Sequence, residues 1–373
     1  MTLRGPRVSK YEILRLSFGS FMIVFLGAGA SAPFDFPTMP KLVHILWNHL
    51  SGNDKTLFKL LCASKNSGDT ENVLMTIEQI SSIANSPIAA IFKPYQLPPR
   101  IGRLALPRLN FETLVQSLRS LREHMYDEIF EVYQTKPMTR LNFELYSELF
   151  SIIGKKAESK GHLVFTTNYD TIIEDFCAAT QRYELRDGFE HDTTSGRHLW
   201  SDLSFDRPVS YAPKPTIKLF KVHGSLGWKE SIPYGIEKVT LEKRVESSPT
   251  SVHTRDLIIY PGSKNPPDRH PFTYLYDRFE TEMKTADQCV VIGYSFRDDY
   301  LNRVFRNFIF SQQKRKRLYV ISKTSEETLW KNLLGLKRKA ALKHYVFSKM
   351  VIPIPCHFGE NGWSKEITAK LQE

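Results

Sequence analysis

Four short segments of this 373-residue chain combine small residues, an amide, an imidazole and hydroxyls in ways suited to a phosphorylated ligand. The first is Phe25-Leu26-Gly27-Ala28-Gly29-Ala30-Ser31-Ala32, with the spacing G-x-G-x-x-A from Gly27, directly after the apolar run Met22-Ile23-Val24. Small residues there let the backbone turn sharply and approach a pyrophosphate, whose charge free N–H groups at a helix start would meet. Such turns are common after strands, so the pattern alone leaves a dinucleotide site and an ordinary tight turn both open. The second is Thr166-Thr167-Asn168-Tyr169-Asp170. An uncharged amide at Asn168 can hold a ribose hydroxyl or a water without titrating, and Asp170 can accept a hydrogen bond from a carboxamide. Asn168 is equally suited to capping the next helix.

In the third segment, Lys221-Val222-His223-Gly224, an imidazole that titrates near neutrality can take up a proton, and Gly224 leaves room beside the ring for a substrate. A lone histidine is more often structural. Among the eleven present, His223 is set apart by its place at a strand end beside a glycine. His191, His198, His253 and His270 lie in segments rich in Asp, Thr, Pro or Gly, where exposed loops are expected. The fourth segment is Ile292-Gly293-Tyr294-Ser295-Phe296. Gly293 and Ser295 suit phosphate or ribose, or simply the start of a helix that Asp298 would cap. Ser322, after Leu318–Ile321, marks a weaker place where an adenosine could rest.

Each of these segments ends or follows a run that reads as a strand: Met22-Ile23-Val24, Leu163-Val164-Phe165, Ile217-Lys218-Leu219-Phe220, Cys289-Val290-Val291-Ile292 and Leu318-Tyr319-Val320-Ile321. Leu257-Ile258-Ile259-Tyr260 is a further candidate. Helical stretches alternate with these runs, one carrying Ile172, Ile173 and Phe176. Such alternation predicts an α/β, Rossmann-like fold, a mostly parallel sheet with helices on both faces. Its ligand-contacting loops belong at the carboxyl ends of the strands.

Pro33, Pro37 and Pro40 keep the chain irregular after the first turn, and a helical pattern resumes over residues 41–50. From Leu57 to Lys160 the apolar spacing is almost wholly helical. Val73, Leu74, Ile77, Ile80 and Ile83 share one face, and Leu114, Leu118, Leu121, Met125 and Ile129 another. Pro87, Pro94, Pro98, Pro99 and Pro107 mark an irregular connection. Residues 41–160 are therefore expected to form a helical insertion within a single domain spanning 1–373. The Gly, Asp and Thr content of residues 183–215 fits a mobile loop over the ligand.

The formal charge of +11 favours anionic ligands or partners. It is scattered, with runs only at Lys314–Arg317 and Leu336–Lys339, which read first as solvated helix ends; nucleic-acid binding stays an open alternative. Cys62, Cys177, Cys289 and Cys356 form no C-x-x-C pair, so no zinc is expected, and free buried thiols suit a reducing cytoplasm. Arg4, Arg7, Lys10 and Arg15 before an apolar run imitate a secretory signal. The run from Phe21 to Leu26 is short, however, and leads straight into the glycine turn. No stretch approaches the roughly 20 apolar residues of a membrane span.

The set Gly27-Ala28-Gly29-Ala30-Ser31, Thr167-Asn168-Tyr169-Asp170, His223-Gly224 and Gly293-Tyr294-Ser295 resembles, in order and kind, the sirtuin superfamily. In particular it resembles the sirtuin-like NAD-cleaving proteins of bacterial antiphage systems. The motifs span the chain from about Phe21 to Lys323. The resemblance implies that Gly27, Ala28, Gly29 and Ser31 cradle the phosphates of NAD and that Asn168 positions water or the nicotinamide ribose. It implies that Asp170 faces the nicotinamide, that His223 is the general base, and that Gly293 and Ser295 lie on the adenosine side.

Two departures separate the chain from deacylating sirtuins: it lacks their four-cysteine zinc module, and Thr167 stands where they usually carry Gln. Without the zinc module a groove for acyl-lysine is in doubt, and water is the easiest acceptor. The expectation is an NAD glycohydrolase that acts in phage defence by depleting NAD. The resemblance also implies a homo-oligomer and a regulatory partner, such as the HerA-type ATPase with which some members are paired. A protein deacylase and a non-catalytic sensor of NAD or ADP-ribose are the alternatives, with a nuclease suggested only by charge.

Overall fold

A computed structural model describes residues 22–64, 70–87, 89, 100–101, 104–105, 110–134, 140–154, 161–208, 214–231, 234–239, 255–258, 268–311, 316–335 and 350–372. The basic residues before Phe21, most of the prolines of the irregular connection, His253 and the run 336–339 lie outside them. The strands are β1 (Met22–Leu26), β2 (Arg100–Ile101), β3 (Leu104–Ala105), β4 (His162–Thr166), β5 (Glu184–Arg186), β6 (Phe189–Asp192) and β7 (Arg197–Trp200). They continue with β8 (Thr216–Lys221), β9 (Gly224–Ser231), β10 (Gly235–Lys238), β11 (Arg255–Ile258), β12 (Gln288–Ile292), β13 (Arg317–Ile321) and β14 (Val351–Ile354). The helices are α1 (Met39–His49), α2 (Gly52–Ser64), α3 (Thr70–Ala84), α4 (Phe111–Gln134), α5 (Arg140–Gly154), α6 (Ile172–Thr180), α7 (Phe272–Thr285), α8 (Asp299–Phe310), α9 (Glu326–Leu334) and α10 (Trp363–Gln372).

Seven strands form one sheet in the order β14-β13-β12-β1-β4-β8-β5, and every pairing in it is parallel. Parallel strands covered on both faces need apolar residues at successive positions, and β1 and β4 are buried throughout. Their side chains alternate between two cores. Ile23, Phe25, Leu163, Phe165, Phe220 and Val291 face α7, α8 and α9. Met22, Val24, Leu26, Val164, Leu219 and Val290 face α5, α6 and α10. The fold is thus an α/β, Rossmann-like one with helices on both faces of the sheet.

Strand β1 sits at the centre. The chain leaves it toward β4 on one side and later extends from β12 to β14 on the other. The chain's progress across the sheet therefore reverses between β1 and β12, the switch point where open α/β sheets bind ligands. Helices α1 to α4 lie between β1 and β4 in the chain and pack around their own core of Leu46, Phe58, Ile77, Leu121 and Met125. Tyr169 and Leu226 join that core, which ties the helical block to the loop after β4. The short hairpin β2–β3 interrupts this otherwise helical stretch.

A second sheet is antiparallel, in the order β11-β9-β10-β7-β6. It corrects two expectations. Leu257 and Ile258 belong to this sheet and not to the parallel one, while Ile259 and Tyr260 lie outside the described residues. Residues 183–215, expected as a mobile loop, instead supply β5, β6, β7 and a short helical turn at Asp202–Phe205. Their aromatic residues explain the order. Trp200 packs edge-on against Phe189 and Trp228, with ring centroids 5.2 Å away in each case. Phe205 stacks on Phe220 of β8 at 4.3 Å. His191 and His198 are exposed as expected, but they face each other across β6 and β7 and are not in loops; His270 is exposed as well.

Candidate active site

A cavity of about 430 Å³ opens at the carboxyl ends of the parallel strands, within the size range of small-molecule sites. The loops after β1, β4, β8, β12, β13 and β14 all reach it. Of the residues singled out in the sequence, Ala28, Gly29, Ser31, Asn168, Asp170, His223, Gly293, Ser295 and Ser322 line it. Gly27 is buried behind them and meets the site only through its carbonyl.

The turn after β1 differs from a strand-to-helix phosphate loop. Two 3-10 turns, Ala28–Ala30 and Ala32–Phe34, follow the strand, and the first α-helix begins only at Met39. The N–H groups of Gly29, Ala30 and Ser31 donate to the carbonyls of Gly293, Gly27 and Ala28. They are therefore engaged within the protein, contrary to the expectation of free donors. The glycines serve close packing between two turns. A Cβ on Gly27 would lie 2.5 Å from the Tyr294 Cα, and one on Gly29 would lie 2.7 Å from the Gly293 Cα. Gly293 itself has φ +63°, and a Cβ there would come within 2.4 Å of the Ala30 nitrogen.

Asn168 caps nothing. Helix α6 starts three residues after Tyr169, with Thr171 at its cap position and no side-chain cap bond. The Asn168 Nδ2 instead donates to the Gly27 carbonyl at 3.0 Å and to the Ser31 Oγ at 2.8 Å. Both amide protons are thus committed, and Oδ1, which accepts no hydrogen bond among the described residues, remains for whatever enters the cavity. The Ser31 hydroxyl in turn donates a hydrogen bond to Asp170 Oδ2 at 2.6 Å. That gives Ser31 an internal use alongside its place on the cavity wall.

Asp170 accepts a second bond at Oδ1 from the Ile172 N–H at 3.2 Å. Burial raises the pKa of its carboxyl group, while the Lys221 ammonium and the Ser31 hydroxyl pull it back down. Lys221 is itself buried, donating to the Asp170 carbonyl and to Glu174 Oε1 at 2.9 Å. Asp170 thus braces Asn168 through Ser31.

His223 occupies the turn between β8 and β9. Its Nε2 lies 3.1 Å from Asp298 Oδ2, and both side chains are almost fully buried. Asp298 caps α8 as expected, accepting the Leu301 N–H at 2.9 Å. Its contact with His223 went unseen in the sequence, where 75 residues separate the two. Gly224 does not open space beside the ring. With φ +82°, its missing side chain faces the Leu257 carbonyl, which a Cβ would approach to 1.8 Å.

Sequence reasoning also missed Tyr133, Arg297, Lys323, Thr324, Cys356 and His357, all of which line the cavity. Tyr133 comes from the last turn of α4 and stacks on Phe36 at 5.1 Å. Burial pushes the Cys356 thiol up to about 11, which keeps it protonated and unreactive near neutrality. Arg297 and Lys323 bring positive charge suited to phosphates, while Asp170 and His223 come from the loops after β4 and β8 and Asp298 follows Arg297 on the loop after β12. A ligand with an anionic middle and a group needing a base and a fixed water fits this distribution. Among the described residues, no three His, Cys, Asp or Glu side chains are placed to hold a metal ion. No helix among them is long and apolar enough to cross a membrane.

No curated protein matches the chain. Solved structures that resemble it include a Sir2 homologue in complex with NAD, at 13% identity over 100% of this chain and 98% of that chain, with a TM-score of 0.47. Others are a Sir2 homologue mutant with 2′-O-acetyl ADP-ribose, at 12% identity over 98% and 97% with a TM-score of 0.43, and Sir2 bound to an acetylated peptide, at 12% over 98% and 99% with a TM-score of 0.44. The chain matches the family model described as SIR2-like domain over residues 162–345, from the start of β4 to beyond α9.

Proposed function

We propose that this chain hydrolyses the bond between nicotinamide and ribose in NAD, yielding nicotinamide and ADP-ribose. The observation that carries the reading is the fixed amide of Asn168, whose donors are both held by the protein, on the same cavity as His223. The SIR2-like match over residues 162–345 supports the choice of NAD.

As the glycosidic C–N bond breaks, its electron pair goes to the nicotinamide nitrogen, which becomes neutral, and C1′ of the ribose takes on oxocarbenium character. Asn168 Oδ1 accepts a hydrogen bond from a water and holds it for addition at C1′. His223 removes the proton that this water must lose. The buried carboxylates Asp170 and Asp298 place negative charge around the site, where positive charge develops during bond breaking. Arg297, Lys323 and Thr324 are suited to the phosphates and the adenosine side.

The test is NAD consumption by the purified full chain, alone and with its partner subunit, compared with Asn168→Ala and His223→Ala. Loss of NAD with release of nicotinamide, abolished by both variants, is expected. Equal behaviour of all three would refute the proposal. Release of a deacylated peptide would point to a deacylase, and NAD binding without turnover in any assembly to a sensor. Within the same proposal the enzyme works in the cytoplasm in antiphage defence by depleting NAD. A homo-oligomer or a separate subunit, of the HerA-type ATPase kind, restrains it. NAD levels in infected cells carrying the wild-type or the Asn168→Ala gene test that part.

A further inference from the structure

We infer that Asp298 fixes the tautomer of His223, so that Nδ1 is the proton-accepting nitrogen of the site. The catalytic consequence rests on the proposed role of His223 as base; the state of the ring does not. Asp298 reaches two partners at once. Its Oδ1 accepts the Leu301 N–H at the start of α8, and its Oδ2 lies 3.1 Å from His223 Nε2. The side chains of His223 and Asp298 are only 2% and 5% exposed, so water does not compete for this contact.

A carboxylate at that distance accepts, and the neutral ring must therefore carry its hydrogen on Nε2. The lone pair then sits on Nδ1. That atom is buried and has no hydrogen-bond partner among the described residues. Buried polar atoms without partners are rare in folded proteins and mark places where a water or ligand belongs. His223 lines the cavity, and the Tyr276 ring lies near parallel to it, at 19° with centroids 6.4 Å apart. A water or ribose hydroxyl in the cavity is the partner that Nδ1 lacks. Asp298 is on this view a positioning residue acting through His223.

A plain helix cap would explain the Leu301 bond alone, and substitution separates the two roles. Asp298→Asn keeps a good cap, but it offers Nε2 a donor in place of an acceptor and so drives the hydrogen to Nδ1. Asp298→Ser also caps, yet is too short to hold the ring.

The experiment uses the full chain with ¹⁵N-labelled histidine, at about pH 8.5 where ordinary imidazoles are neutral. The His223 signals are assigned by their loss in His223→Gln. The expected wild-type spectrum shows hydrogen on Nε2 and a bare Nδ1, and Asp298→Asn reverses this. NAD turnover of Asp298→Asn is expected to fall in kcat by about 10²–10³-fold, no more than the loss of the base itself would cost, with KM changed by less than about threefold and Asp298→Ser falling less far. Hydrogen on Nδ1 in the wild type would overturn the inference. So would an Asp298→Asn chain with unaltered ring signals and kcat. If the ring behaves as expected while the wild type consumes no NAD, the inference stands and the hydrolase proposal alone fails.

Discussion

Buried polar groups in the parallel sheet and in the antiparallel sheet are completed in different ways. In the antiparallel sheet the buried charges are ion-paired: Glu237 lies between Arg197 and Lys229 of the neighbouring strands, and Lys238 meets Asp187 of the loop before β6, although Glu237 Oε1 makes no hydrogen bond among the described residues. At the carboxyl edge of the parallel sheet the network stops short. Among the described residues, Asn168 Oδ1 accepts no hydrogen bond and the buried Nδ1 of His223 has no partner. Buried groups that satisfy each other build a scaffold, whereas those left incomplete at a cavity wall show where another molecule belongs. If this division holds, changes at the rim should alter chemistry with little change in folding, and changes in the antiparallel sheet should do the reverse.

The largest effect is expected at His223. Replacing it by alanine should lower NAD turnover per folded molecule by about 10²–10⁴-fold, the range for losing a general base; steady-state kinetics on the purified chain measures it. Trp228→Ala is the counterpart in the antiparallel sheet. Trp228 is fully buried against Phe189 and Trp200, so about 3–5 kcal/mol of stability should be lost in denaturant titration. Turnover of the molecules that remain folded should stay within about twofold, and a much greater loss would erase the contrast.

A pH effect sharpens the same comparison from the far end of the sheet. His162, at the start of β4 and away from the cavity, is lowered to about 4 by burial. The folded form refuses a proton that the unfolded chain accepts below about 6.5. Stability should therefore fall as pH drops from about 6.5 to about 4, by up to about 1.4 kcal/mol per unit. His162→Phe, which keeps a ring between Phe150 and Tyr183, should flatten that slope without touching catalysis. Gly293→Ala tests the boundary between the regions. Forced onto φ +63° and into Ala30, it should cost about 1–3 kcal/mol and depress turnover as well. Lys323→Gln, whose ion pair in the folded chain is the exposed one with Glu360 at 2.7 Å, should change stability by less than about 1 kcal/mol, any larger effect falling on NAD binding through its place on the cavity wall.

The parallel sheet was legible because its strands are continuous apolar runs such as Met22–Leu26 and Cys289–Ile292, which two-sided burial demands. The antiparallel sheet was not. Strands such as Phe189-Glu190-His191-Asp192 are short and mostly polar, and only the meeting of Phe189 with Trp200 and Trp228 orders them. The strand ends carrying Asn168, His223 and Gly293 could be located because local turn chemistry marks them. What the individual side chains bond to could not. The Ser31–Asp170 bond spans 139 residues, and nothing local to Ser31 distinguishes a hydroxyl that serves a carboxylate from one that awaits a phosphate. Gly224 misled for the same reason, since the strand that crowds it lies elsewhere in the chain.

The two glycine turns, 264 residues apart from Gly29 to Gly293, fit together like the halves of a hinge pin, each occupying the space that a methyl group on the other would need. Neither half has a meaning that can be read separately. Homologues sharing this pocket should be sought by requiring both segments jointly, and an engineer grafting the first turn into another scaffold must transplant the second with it.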